Sequence, residues 1–280
     1  MKPALFDYAR PDTLQEVLAL LGKHGDDAKL IAGGQSLVPV MNLRLATPAL
    51  LIDLNGVQEL AGIRHEADML HIGAMTRQRE LIASPVIAEH APLLAQAVPN
   101  IGHVQTRSRG TIGGSLSHAD PASELPLSMV TLNATFTISS VRGQRIVAAR
   151  EFFQGAMATA LATDEVLTTI SFPVAPQGTR AVFRERARRH GDFAIVAVAA
   201  QFSSGSLTVA VGGLEAVPRY CVSLVDALTR DGFDRSRLSE FIDAELAQVE
   251  PLVDMHASAG YRQHLARVML HVCLTEVLGA

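Results

Sequence analysis

Two short glycine-rich segments constrain this chain more than any other feature of its 280 residues. The longer, Arg107-Ser108-Arg109-Gly110-Thr111-Ile112-Gly113-Gly114-Ser115, carries three glycines among five residues and runs on through Leu116-Ser117-His118-Ala119-Asp120-Pro121. The other is Ala32-Gly33-Gly34-Gln35-Ser36-Leu37. Glycine has no Cβ, so its N–H groups can converge on an oxyanion where any side chain would collide. Hydroxyl side chains add donors at the rim, and Arg107 and Arg109 bring positive charge. Two such loops in one domain point to one extended ligand held from two sides, as a diphosphate-linked dinucleotide would be. Either glycine pair taken alone is most often just a tight turn. Neither has the G-x-G-x-x-G spacing of a Rossmann turn or a Walker lysine, and the only lysines are Lys2, Lys23 and Lys29. The two commonest nucleotide folds are therefore disfavoured.

Composition narrows the function further. A formal charge of −4 with no long basic run argues against nucleic acid as partner. The most membrane-like run, Phe193 to Leu214, is split by Ser203-Ser204-Gly205-Ser206 and reads as two buried strands joined by a turn, so no membrane span is expected. Pro3, Asp7 and Arg10 interrupt any basic-then-apolar leader, and no secretory signal is expected. Cys221 and Cys273 are the only cysteines, too few for an iron–sulfur cluster held by four of them. The histidines are scattered and no H-E-x-x-H pattern points to zinc, so no metal site is expected in this chain. The economical reading is a cytoplasmic protein whose 48% hydrophobic content partly serves contacts with other subunits.

Taken in order, Phe6 to Pro11 is predicted extended, and Asp12 or Thr13 caps a helix through Leu21 that Gly25 stops. Lys29–Ala32 is predicted as a strand feeding the first glycine loop, Val38 to Leu45 as a short helical turn, and Leu50–Asp53 as the next strand. Leu60–Ile63 and Met69–Ile72 are predicted strands of a second sheet, and Thr76 is predicted to cap a helix through Leu81. Ser84-Pro85 begins another helix, and Leu93–Val98 a third. Thr135–Ile138 and Gln144–Val147 are predicted to pair across Arg142-Gly143, with a helix over Glu151–Met157 and a strand over Glu165–Phe172. A boundary is expected in Pro173–Gly178. Beyond it come strands at Ala181–Ala187 and Leu207–Leu214, then helices at Val222–Leu228, Leu238–Leu246 and Tyr261–Leu278. For Phe193–Phe202, periodicity leaves strand and helix both open.

Taken together, Ile31-Ala32-Gly33-Gly34-Gln35-Ser36 and Thr111-Ile112-Gly113-Gly114-Ser115, with Asp120-Pro121 after them, resemble a known family. They look like the FAD-binding medium subunits of the molybdenum hydroxylases, the carbon-monoxide dehydrogenase and xanthine dehydrogenase group. The resemblance extends over the chain, through Arg10-Pro11, Gly73-Ala74, Arg109-Gly110 and Asp192-Phe193-Ala194. It implies an α+β fold: a PCMH-type two-part FAD-binding domain, residues 1–56 and 57–176, followed by a smaller C-terminal α+β domain, 177–280, that covers the flavin. It places the diphosphate at Ala32, Gly33, Gly34, Gln35 and Ser36 and at Thr111, Gly113, Gly114 and Ser115. Ile101 and Leu167 stand where the family has apolar contacts to the ring systems, Glu124 where it has an acid that is usually Asp, and Arg184 where Lys is common. Phe193 is a candidate to cap the flavin face, against ordinary core burial. His118 and Asp120 are read as turn residues, and Arg188, Arg189 and His190 as a solvated or subunit-facing cluster.

The function so implied is electron transfer. A large molybdopterin subunit oxidises substrate, a small subunit with [2Fe-2S] clusters relays electrons, and FAD on this chain passes them to an external acceptor. A dimer of heterotrimers is expected from the family. The alternatives are a self-contained PCMH-type flavoprotein oxidoreductase and a flavin-free binding or scaffold subunit. A bulky residue at Gly33 or Gly113 is expected to abolish flavin retention while the chain still folds.

Overall fold

In a computed structural model, which describes residues 1–279, each stretch of the chain builds its own sheet. The first is parallel, in the order β1-β3-β2, from β1 (Asp7–Ala9), β2 (Ala28–Ile31) and β3 (Leu50–Asp53). Helix α1 (Leu14–His24) crosses between β1 and β2, capped by the Thr13 hydroxyl, which accepts from Glu16 N. It buries Val17 and Leu21 against Ile52 and Leu54. The short helix α2 (Leu37–Asn42) follows the first glycine segment.

The second sheet is antiparallel, with β4 (Ile63–Glu66), β5 (Met69–Gly73), β6 (Thr135–Ser140), β7 (Gly143–Ala148) and β10 (Val166–Pro173) in the order β4-β5-β10-β6-β7. Between β5 and β6 the chain makes six helices: α3 (Gln78–Ala83), α4 (Pro85–His90), α5 (Pro92–Ala97), α6 (Val104–Arg109), α7 (Ile112–His118) and α8 (Glu124–Thr131). Their apolar sides close over Leu70, Ile72, Phe136 and Ile170 to make the main core. Helix α9 (Ala149–Phe152) and the hairpin of β8 (Phe153–Gly155) and β9 (Ala158–Thr159) complete this unit.

The third sheet is β11 (Arg180–Arg186), β12 (Val196–Ser203), β13 (Ser206–Gly212) and β14 (Arg219–Tyr220), paired in sequence order. One face packs on α10 (Val222–Arg230), α11 (Leu238–Leu246) and α12 (Ala259–Leu278), through Val198, Val209, Leu270 and Leu274. The other face lays Phe183, Ala197, Ala199 and Ala210 into the main core. Being buried on both faces, β12 reads as a continuous apolar run, which is why strand and helix could not be told apart there.

Four local expectations are corrected. The segment before β4 is a short turn over Gln58–Leu60, and the strand starts only at Ile63, because Gly62 takes φ +120° and breaks the extended path. Thr76 caps no helix; its hydroxyl is used by the backbone of Gly62, at 2.9 Å from N and 3.0 Å from O, and Arg77 stands at the N-cap of α3. The helix expected over Glu151–Met157 ends at Phe152, and Met157 at φ +55° turns the β8–β9 hairpin instead. The second glycine segment is not a free loop: Thr111 is an N-cap, and Gly113 and Gly114 lie in the first turn of α7.

No helix among the described residues is long and apolar enough to cross a membrane.

Candidate cofactor site

The carboxyl ends of β1, β2 and β3 open into a crevice of about 440 Å³, the usual place for a ligand on a parallel sheet. Tyr8 and Asp53 line it from the strands, Gly33, Gly34 and Gln35 from the first glycine segment, and Arg109 from the second. Gly34 sits at φ +71°, where residues with a Cβ are strained, and this bends the chain from β2 into α2. Gly33 has a different role. A Cβ there would lie 2.3 Å from the carbonyl oxygen of Arg109, so its absence is what lets the two segments touch.

The segments differ in what they leave free. Among the described residues, the amide groups of Gly33, Gly34, Gln35 and Ser36 donate to no protein acceptor; Gly34 and Ser36 only accept, from Val38 N and Val40 N. The amides of the second segment are already engaged. Ile112 N donates to Thr76 O at 3.0 Å, Gly113 N to Ala74 O at 2.8 Å and Gly114 N to the Thr111 hydroxyl at 3.0 Å. What Thr111–Ser115 can offer a ligand is therefore hydroxyl hydrogen bonding and not a ring of free N–H groups. The free amides, the bare glycine backbone and the Arg109 guanidinium together fit an anionic diphosphate.

A hydrogen-bonded chain that sequence reading missed runs along the crevice. Tyr8 Oη donates to Asp53 at 2.5 Å, and Asn55 N donates to the same carboxylate at 2.9 Å. Burial opposes ionisation of Asp53, but the bonds from Tyr8 and Asn55 outweigh it and hold its carboxyl below the usual range. Asn55 Nδ2 donates to Ala32 O at 2.9 Å. The Arg77 guanidinium donates to Asn55 Oδ1 and to Arg109 O. No spacing rule reveals such a network, since its members come from widely separated parts of the chain.

The remaining predicted residues are spread along the seam with the third sheet. Ile101 is buried in the main core beside Gly102, whose carbonyl accepts from Arg107 Nη1 at 2.9 Å. Glu124, at the start of α8, is 7% exposed, and burial pushes its pKa up to about 8. Leu167 lies inside the core next to a bulge in β10 and away from the crevice. Arg184 stands on β11. Strand alternation turns it towards α12, where it pairs with Glu276 at 2.5 Å. Its neighbour Glu185 faces the main core instead, close enough to Glu124 to raise that group further, and burial pushes Glu185 itself up to about 7. Phe193 is 70% exposed, so core burial does not account for it. Asp120 Oδ1 accepts from Ala122 N at 2.8 Å, the bond of a turn residue. Arg188 donates to the carbonyls of Met255 and His256.

Comparison with known proteins places this architecture. Residues 4–175 match the model of the FAD binding domain in molybdopterin dehydrogenase, and residues 181–277 that of the CO dehydrogenase flavoprotein C-terminal domain. The chain is 37% identical over 286 residues to the 6-hydroxypseudooxynicotine dehydrogenase complex subunit alpha of Paenarthrobacter nicotinovorans, covering 99% of this chain and 96% of that one. It is 38% identical over 275 residues to the carbon monoxide dehydrogenase medium chain of Afipia carboxidovorans, covering 96% of each. A solved carbon monoxide dehydrogenase structure from Hydrogenophaga pseudoflava superposes with a TM-score of 0.95 at 36% identity, covering 99% of both chains. This chain therefore belongs to the FAD-binding medium subunits of the carbon-monoxide dehydrogenase and molybdenum hydroxylase family.

Proposed function

We propose that this chain works in a heterotrimer, taking electrons from the [2Fe-2S] clusters of a small partner subunit after a large molybdopterin subunit has oxidised substrate. It passes them to an external acceptor, and two heterotrimers pair as a dimer. Bound FAD supplies the redox chemistry, a carrier able to take and give electrons singly or in pairs. The protein supplies the grip. Ala32 to Ser36 hold the diphosphate, through the free amides of Gly33 to Ser36 and the Ser36 hydroxyl, and Thr111 and Ser115 add hydroxyl contacts. Gly113 lets the first turn of α7 pack against Ala74, and Gly114 keeps the backbone slim beside Ala32. Ile101 offers an apolar wall and Glu124 a buried acid near the ring system, while Phe193 stands free to cover a flat ligand face. Leu167 and Arg184 support from behind, through the core and through α12. Residues 1–56, 57–176 and 177–280 act as the three structural units of this arrangement.

The observation that carries the reading is the run of unspent amides in the first glycine segment, which lines a crevice together with Arg109. The test is an absorbance spectrum and cofactor extraction on the chain purified with its bound partners. Noncovalent FAD together with iron–sulfur and molybdopterin subunits is the expected result. FAD in a lone chain that turns over a substrate unaided would favour a self-contained flavoenzyme, and no flavin in either state would sink the proposal.

A further inference from the structure

We infer that Arg77, acting through Asn55, is a positioning residue for the cofactor, setting the separation of the two glycine segments. The backbone of Arg77 is already tied to the second segment: Gln78 N donates to Gly110 O at 2.9 Å and Ile112 N to Thr76 O at 3.0 Å, a bridge centred on Arg77 and Thr111. Its side chain then closes the gap to the first segment. One arm of the guanidinium donates to Arg109 O, the oxygen that occupies the space left by the missing Cβ of Gly33. The other arm donates to Asn55 Oδ1, while Asn55 Nδ2 holds Ala32 O at 2.9 Å, one residue before Gly33. Of the carbonyls that precede the two ligand-facing stretches, Arg109 O is thus held by the fork directly and Ala32 O through Asn55. Two oxygens at a fixed separation suit a planar guanidinium and not an ammonium, which offers one point of charge. Burial and the nearby Arg109 charge both work against the Arg77 cation, the circumstances in which an anion bound between the segments compensates.

The inference rests on the reading of this crevice as the FAD diphosphate site, and the experiment separates the two. FAD is titrated into the cofactor-stripped full chain at a temperature where circular dichroism shows every variant folded. Arg77→Met, Arg77→Lys, Asn55→Ala and the Arg77→Met, Asn55→Ala double variant are compared with the wild-type sequence. Each single change is expected to weaken FAD binding by about 10- to 100-fold, from the buried oxygens it strands. Lysine is expected not to rescue, and the double variant to be little worse than the weaker single. Affinity unchanged in folded variants, rescue by lysine, or additive losses would each overturn the clamp. Failure of the wild-type chain to bind FAD would overturn the site reading instead.

Discussion

Glu124 and Glu185 show how much a single residue's surroundings can change. Burial raises both carboxyls, to about 8 and about 7, so the folded chain keeps their protons over a pH range in which the unfolded chain has lost them. Folding therefore weakens as pH rises from about 4.5, the ordinary glutamate value, towards 8, and regains nothing above it. The melting temperature of the cofactor-free chain is expected to fall across pH 5–8, and Glu124→Gln with Glu185→Gln to flatten that slope. A wild-type melting temperature that rises over this interval would contradict it. The two glycines behave differently as well. A side chain at Gly113 meets Ala74 at 2.5 Å inside the core, so Gly113→Leu is expected to lower the melting temperature with or without FAD. Gly33→Ala pushes against the backbone of Arg109 and Gly110 where the two glycine segments meet, and is expected to lose FAD while far-ultraviolet circular dichroism stays native. Gly33 and Gly113 are therefore not expected to share one phenotype. Composition identifies a glycine but does not say whether its bare face meets a ligand or an alanine.

At the scale of elements, periodicity and punctuation carried far. The Thr13 cap, the parallel β2 and the β6–β7 hairpin across Arg142-Gly143 stand where the pattern put them. Failures came where one backbone bond decides, as with Thr76 turning to Gly62, or where a glycine pair enters a helix, as in α7. Arg262 on α12 was invisible in the sequence, yet it joins three parts of the C-terminal unit. It is 3% exposed, donates to the carbonyls of Ile195 and Gly213, the latter at 2.7 Å, and pairs with Asp254 at 2.5 Å. Arg262→Met strands two buried carbonyls and is expected to cost about 2–4 kcal/mol of stability, read from denaturant midpoints. A loss below about 0.5 kcal/mol would mean that the carbonyls find other donors.

Across the whole molecule, the second and third sheets are not independent bodies. Phe183, Ala197, Ala199 and Ala210 from the third sheet complete the core that Phe136 and Ile170 begin in the second. FAD bound to the crevice should therefore stabilise both together. At a free concentration of 100 times its Kd, it is expected to add about 2.7 kcal/mol and raise a single melting transition by roughly 5 °C. Two transitions, with only one moved by FAD, would show that the C-terminal unit unfolds alone.

The joint between these sheets has two halves of opposite character. Near α8 the β12–β13 hairpin presents alanines, but towards its tip the same face carries Gln201, Ser203, Ser206 and Thr208, which with Asn133 and Pro173 line a cavity of about 200 Å³. Gln201 Oε1, Ser203 Oγ and Thr208 Oγ1 have no protein partner there, and such atoms are satisfied by water. The joint is therefore dry along one side and wet along the other, and its closure is tied to the activity of the surrounding water. Solutes excluded from the protein surface would act on this seam through osmotic stress alone, without touching the cofactor.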